Sequence, residues 1–225
     1  TQSRSSAASD VYKRQEKGYS YPETARRYGQ SILCIDMEEK ELGLIAQHLY
    51  YTWPMIYNSS VSEKYTDNVP LLALVLRGKH IKKAPSWVKI QSFSTAQDDM
   101  KFIAFAKTGE FGSDLYKDVI APYLQDNLYT ETWQNGAGRV PSNCSGDTSV
   151  YNNVNMRLLD WEYKESQDHS KWAVSEQGHL CVGGINRMTS QYSWGGGSFC
   201  VQAGSVWKQI RVGIQRYETC QEQYM

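Results

Sequence analysis

The stretch HSKWAVSEQGHLCVGGIN, His169 to Asn186, carries two strand-like apolar runs, KWAV and HLCVGG, framed by polar residues. On a strand, positions i and i+2 face the same way, so His169 and Lys171 project together. A neutral imidazole can attack phosphorus or move a proton near physiological pH, and an ammonium can hold non-bridging oxygens. That pairing is a phosphoryl-transfer geometry. It is not specific alone, because His80-Ile-Lys82 repeats the spacing, and His80 with Lys79 and Lys83 reads as a solvated basic loop. What sets His169 apart is its sequel: four residues separate Lys171 from Glu176, six more precede Gly183, and GGIN ends in Asn186.

Lysine plus arginine and aspartate plus glutamate number 24 each, so no net field draws a polyanion in at neutral pH. The four histidines charge on acidification, which favours any nucleic-acid role at low pH. The cysteines Cys34, Cys144, Cys181, Cys200 and Cys220 form no C-x-x-C pair, so disulfides are expected and no metal site. The acceptor triplets at Asn58 and Asn143 agree with a secretory route and an oxidising compartment. His179-Leu-Cys181 is not read as a metal pair. No run of 18 apolar residues exists, so no membrane span is predicted, and no signal-peptide core is seen at the start.

The opening residues 1–15 are small, polar and aperiodic, and Ser5 to Gln15 back-translates to a transposase adapter used in sequencing libraries. Residues 1–15 are therefore read as a non-native tail. On this reading genuine chain starts near Glu16.

Along the remainder, SILCID (Ser31–Asp36) reads as a strand. A helix follows through Leu42, Ile45, Ala46 and Leu49 and ends before Pro54. PLLALVLRG fits either a buried strand or a helix end. SWVKIQSFST and KFIAFAKT read as a hairpin around Gln97-Asp98-Asp99. SDLYKDVIAPYLQ is a helix capped by Ser113 and kinked by Pro122, and NLYTETW is a strand. The polar loop from Gln134 to Asn155 is too long for a simple connection. VNMRLLDWEY, KWAV, HLCVGG and SFCVQ are strands, the glycines Gly195–Gly197 a tight turn, and SVWKQIRVGIQRY a closing helix. His48 reads as a structural residue, and Trp194 as packing rather than base stacking. The order is mixed α and β.

The spacing from His169 to Asn186 resembles the phospholipase D superfamily signature H-x-K-x4-D-x6-G-S-x-N, with Glu176 for Asp and Gly184 for Ser. In that superfamily the Asn adds a neutral donor to the phosphate, a role carried to Asn186. Glu176 is longer than the family residue, which leaves Asp168 and Glu176 as alternative orienters of the histidine. YGQSILCID, LYYTWPMIYN, FGSDLY, VPSNCS, DHSKW, CVGGINR and GGGSFC, in this order, resemble the C-terminal part of deoxyribonuclease II, over nearly everything after Tyr19.

The resemblance implies a mixed α/β, phospholipase D-like half with a sheet flanked by helices, normally one half of a pseudodimer occupying residues 16–225. It implies a lysosomal or secreted acid endonuclease that cuts DNA without metal or cofactor and leaves 3′-phosphate ends through phosphohistidine chemistry. His169 is nucleophile or general acid, and a second H-x-K comes from an N-terminal half absent before Glu16, so this half alone is expected to be nearly inactive. Family pattern pairs Cys144 with Cys220 and Cys181 with Cys200, and leaves Cys34 as a buried free thiol. Two other readings stand beside this one: a catalytically silent secreted binding protein, and a homodimer rebuilding one site.

Overall fold

The computed structural model describes residues 27–56, 59–83, 86–96 and 100–220; the tail reading, Asn58 and the Gln97–Asp99 turn lie outside these residues. Three helices come first: α1 (Leu42–Thr52), α2 (Glu63–Asn68) and α3 (Pro70–Leu76). PLLALVL is therefore helix, with Pro70 in the first turn, where its missing N–H costs nothing. Trp53 ends α1 in the left-handed region at φ 47°, one residue ahead of Pro54.

SILCID forms no strand. Ile32 is 74% exposed, and the nearest pairing is a single bridge from Met37 to Thr95. Ile35 and Met37 instead pack under α1 against Phe93 and Phe102, a contact that apolar character alone can satisfy without a ladder.

Strands β1 (Val88–Ser94) and β2 (Lys101–Lys107) pair antiparallel from Val88↔Lys107 to Ser94↔Lys101, the expected hairpin. A π-helical turn, Tyr116–Ile120, then runs into α4 (Ala121–Leu124). Asp114, not Ser113, caps this helix: its Oδ1 accepts the N–H groups of Tyr116 at 2.9 Å and Lys117 at 3.3 Å, while Ser113 donates to Asp118. Pro122 is accommodated because it follows directly on the widened turn, in the first positions of α4.

β3 (Leu128–Glu131) lies at the centre of the remaining strands, parallel to β4 (Val150–Leu158) and antiparallel to β6 (Trp172–Ser175). VNMRLLDWEY divides at Leu159-Asp160 into β4 and β5 (Trp161–Lys164), with Leu158 opposite Trp161. β7 (His179–Gly183) and β8 (Gly196–Gln202) complete the path, so two of the three glycines belong to a strand rather than a turn. Glycine is required there by close approach: a Cβ on Gly197 would stand 2.5 Å from the Phe105 carbonyl oxygen. The closing segment is a helix only to Gly213, α5 (Gly204–Gly213). Ile214–Tyr217 is β9, which pairs with β4.

The sheet runs β1-β2-β8-β7-β6-β3-β4-β5, with β9 on β4. One face packs on α1 and α5. The other, built from Phe105, Ala173, Cys181 and Cys200, packs on Tyr116, Val119 and Ile120. Cys181 pairs with Cys200 across β7 and β8, and Cys144 with Cys220, as the resemblance implied. The second bridge, with Ser142 bound to Glu218, staples the long loop to the chain end. Cys34 is exposed, contrary to the buried thiol expected, because its segment lies outside the sheet. Among the described residues no helix is long and apolar enough to cross a membrane.

Candidate active site

His169 and Lys171 lie just before β6, in a segment held extended by Gly29. The Gly29 N–H donates to the Gln167 carbonyl and the His169 N–H to the Gly29 carbonyl, both at 2.9 Å. A side chain at position 29 would place Cβ 2.6 Å from Asp168 Oδ1. That oxygen is already committed, accepting from the Ser170 N–H at 2.8 Å and its hydroxyl at 2.5 Å. On the far side the Gly183 N–H donates to the Lys171 carbonyl at 2.8 Å. Alternation does the rest: Asp168, Ser170 and Trp172 line one cavity, and His169 and Lys171 face away from it.

Lys171 is buried, and its Nζ donates to the His169 carbonyl. Burial pulls its ammonium down to about 8, against the opposing pull of Asp168. It therefore stays charged at acid and neutral pH.

The imidazole of His169 sits between two rings. Tyr28 stacks on it, centroids 4.4 Å apart and 4° from parallel, and Trp133 meets it at 3.8 Å and 73°. The Trp133 main-chain N–H also donates to Asn186 Oδ1 at 3.1 Å. Asn186 is thereby brought to the same site as His169.

The segment that carries Asn186 is pinned by partners from several elements. Gln191 Oε1 accepts the Asn186 N–H at 2.7 Å, and the Tyr116 hydroxyl donates to the Ile185 carbonyl at 3.0 Å. Arg187, 1% exposed, donates to Asp114 Oδ2 at 2.9 Å, to Asn152 Oδ1 at 2.5 Å and to the Pro141 carbonyl at 3.2 Å. Lys107 holds the following loop by donating to the carbonyls of Gln191, Tyr192 and Trp194.

Glu176 is not brought to this site. The whole of β6 separates it from Lys171; it is exposed, and it accepts from the Tyr129 hydroxyl at 3.0 Å and Asn127 Nδ2 at 3.2 Å. Asp168 is adjacent but bound to Ser170. A third carboxyl was missed by the sequence: Glu131, at the end of β3, is fully buried. Burial first, then the charges of Asp168 and Glu165, push it well above the usual carboxyl range, with Asn153 opposing.

His80 is not a solvated loop residue but is stacked on Trp53 at 3.8 Å, while Lys79, Lys82 and Lys83 are exposed. His48 is buried against Phe199, and burial lowers it to about 4. Trp194 packs on the core, and Cys181 is in its disulfide. Asn143 Oδ1 accepts from the Ser145 N–H and hydroxyl at 2.9 and 2.7 Å, within its acceptor triplet. Among the described residues no group of three or more His, Cys, Asp and Glu side chains could hold a metal.

Tyr28, Trp133 and Arg187 were not singled out by the sequence. Tyr28 and Arg187 stand inside the family-like words YGQSILCID and CVGGINR; Trp133 had no signal beyond ending the NLYTETW strand.

A family profile described as Deoxyribonuclease II matches residues 8–220, beginning inside the stretch read as adapter. The chain is similar to Plancitoxin-1 of Acanthaster planci, 35% identical over 208 residues, covering 91% of this chain and 58% of the relative. It is similar to Deoxyribonuclease-2-alpha of Sus scrofa, 34% identical over 209 residues, covering 91% and 57%. It is also similar to Cell-death-related nuclease 7 of Caenorhabditis elegans, 31% identical over 208 residues, covering 91% and 57%. The chain thus spans under three fifths of the length of these relatives.

Proposed function

Because the chain belongs to the deoxyribonuclease II family, we propose that it is the C-terminal half of an acid endodeoxyribonuclease that hydrolyses DNA phosphodiesters. The observation that carries this is the meeting of His169, Lys171 and Asn186, two of them joined through Trp133. Lys171 supplies positive charge to the non-bridging oxygens. With its Oδ1 engaged by Trp133, Asn186 turns its amide nitrogen to the same task. Losing one such donor costs about 3–4 kcal/mol of transition-state stabilisation.

In this reading a histidine nitrogen bonds to phosphorus as the P–O5′ bond breaks, and a second histidine gives its proton to O5′. Water then hydrolyses the phosphohistidine and leaves a 3′-phosphate, with no metal or cofactor. His169 fills one of the two histidine roles. In this reading a second H-x-K is supplied from outside this chain, which spans 58% and 57% of these two relatives, and the half alone is nearly inactive. Two disulfides and the Asn143 triplet support a lysosomal or secreted location.

The silent binding protein loses its motive, since the Glu176 replacement lies at the other end of β6 from His169. The homodimer is dismissed if light scattering finds only monomer at high concentration. The deciding experiment is His169→Ala in the full-length protein at acid pH. Lost cleavage of plasmid DNA with retained binding supports the enzyme, and an unchanged product pattern refutes it.

A further inference from the structure

His169 is enclosed in a corner whose two walls come from distant parts of the chain. Tyr28 lies flat on the imidazole, Trp133 stands edge-on to it, and the two walls meet each other at 5.4 Å and 77°. Each wall is itself anchored. Tyr28 precedes Gly29, whose backbone is bonded to Gln167 and His169, and Trp133 is bonded through its main-chain N–H to Asn186. A parallel aromatic face attracts a cation on its surface, and two faces at a right angle leave a planar ring one orientation.

Resting on the function proposed above, we propose that Tyr28 and Trp133 are positioning residues, a two-walled aromatic corner that fixes the His169 ring and favours it in its positively charged form. Both roles open to His169 pass through a positively charged ring, although a nucleophile attacks as the neutral imidazole. A proton donor begins as imidazolium, and a nucleophile becomes an N-phosphorylated imidazolium once it has attacked. The corner therefore acts on the reaction whichever role His169 takes.

The titratable groups around this ring divide between the two faces of its segment. Lys171 shares the face of His169, whereas Asp168 is on the opposite face, with Glu131 and Glu165 close enough to it to be coupled. The Arg27 guanidinium stands 5.4 Å from the Tyr28 ring. Changing Tyr28 to another uncharged residue leaves all of these charges in the chain but frees Arg27 from the ring, so the same change is also made in an Arg27→Gln background, where only the ring face differs.

With only four histidines, nitrogen-15 labelling of the imidazoles resolves His169 in the chain as it stands, without requiring turnover. In Tyr28→Leu the imidazolium-to-imidazole ratio of His169 at a given pH falls about tenfold relative to the parent. Tyr28→Phe restores it to within about twofold, since the face remains. Signals of His48, His80 and His179 that stay in place certify the fold. Should Tyr28→Leu not fold, pentafluorophenylalanine at position 28 keeps the ring's shape while removing its negative face, and gives the same fall.

A folded variant whose His169 titrates like the parent's overturns the corner. That failure is separable from failure of the function. Cleavage lost in His169→Ala with a titration indifferent to Tyr28 refutes the corner alone, whereas cleavage retained in His169→Ala refutes the nuclease reading.

Discussion

Replacing Arg187 by Met tests whether the web beneath Asn186 carries the stability assigned to it. The guanidinium is 0% exposed and its partner Asp114 6%, so the pair has no water to fall back on. Methionine refills the aliphatic volume but leaves Asp114 as a buried, unpaired carboxylate, a loss of about 3–5 kcal/mol. For a chain of this size that is a fall of about 10 °C in Tm. Urea unfolding gives the free energy directly. The midpoint moves while the slope stays constant, because the surface exposed on unfolding is unchanged. The double variant Arg187→Met/Asp114→Asn is the sharper arm. Asparagine keeps the Oδ1 that caps Tyr116 and Lys117 but carries no charge, so it regains about 1–2 kcal/mol over the single variant. An Arg187→Met loss below about 1 kcal/mol, or a double variant as unstable as the sum of both singles, refutes the argument.

Glu131→Gln probes the buried carboxyl. Its folded value is raised, so it stays protonated in the native state while the unfolded chain ionises near pH ~4.3. The unfolded state then holds fewer protons, and stability falls as pH rises above that point. Glutamine removes this slope, and urea midpoints at pH 4 and pH 7 with the same difference in parent and variant would sink the idea. Lys171, lowered to about 8, predicts that oligonucleotide affinity measured by anisotropy declines as pH rises through that value; Lys171→Arg abolishes the decline. An identical decline in both proteins removes Lys171 from the phosphate. Removing the Cys144–Cys220 bridge costs about 4.5 kcal/mol and the Cys181–Cys200 bridge about 3 kcal/mol, following loop lengths of 76 and 19 residues. The reverse order in thermal unfolding overturns the loop-entropy account.

The elements legible in the sequence are those whose signal is local. The face of Leu42, Ile45, Ala46 and Leu49 marks α1, and the Trp87 to Thr95 alternation marks β1. SILCID misled because an apolar run says that a segment is buried or half-buried, not that it has a ladder partner; here Ile35 and Met37 pack without one. The closing segment misled for the converse reason: Ile214 to Tyr217 leaves the helix because β4 offers it a partner that no local propensity records.

The site divides the same way. His169, Lys171 and Asn186 lie within one short stretch and were readable from spacing. Tyr28 and Trp133 reach the imidazole only through the folded chain. Glu176 was placed by counting along the sequence, but β6 carries it away from His169 and hands it to Tyr129 and Asn127.

β2 is sandwiched between β1 and β8, yet its second partner begins at Gly196, long after Lys107. During synthesis at about 5–20 residues per second, the β1–β2 hairpin therefore waits on the order of ten seconds with one edge unpaired. Phe102, Ala104 and Phe105 stand along that edge, and it is an open template for another chain. Recruitment of a holding chaperone during translation, and loss of yield when elongation is slowed between Lys107 and Gly196, are what such a delay entails.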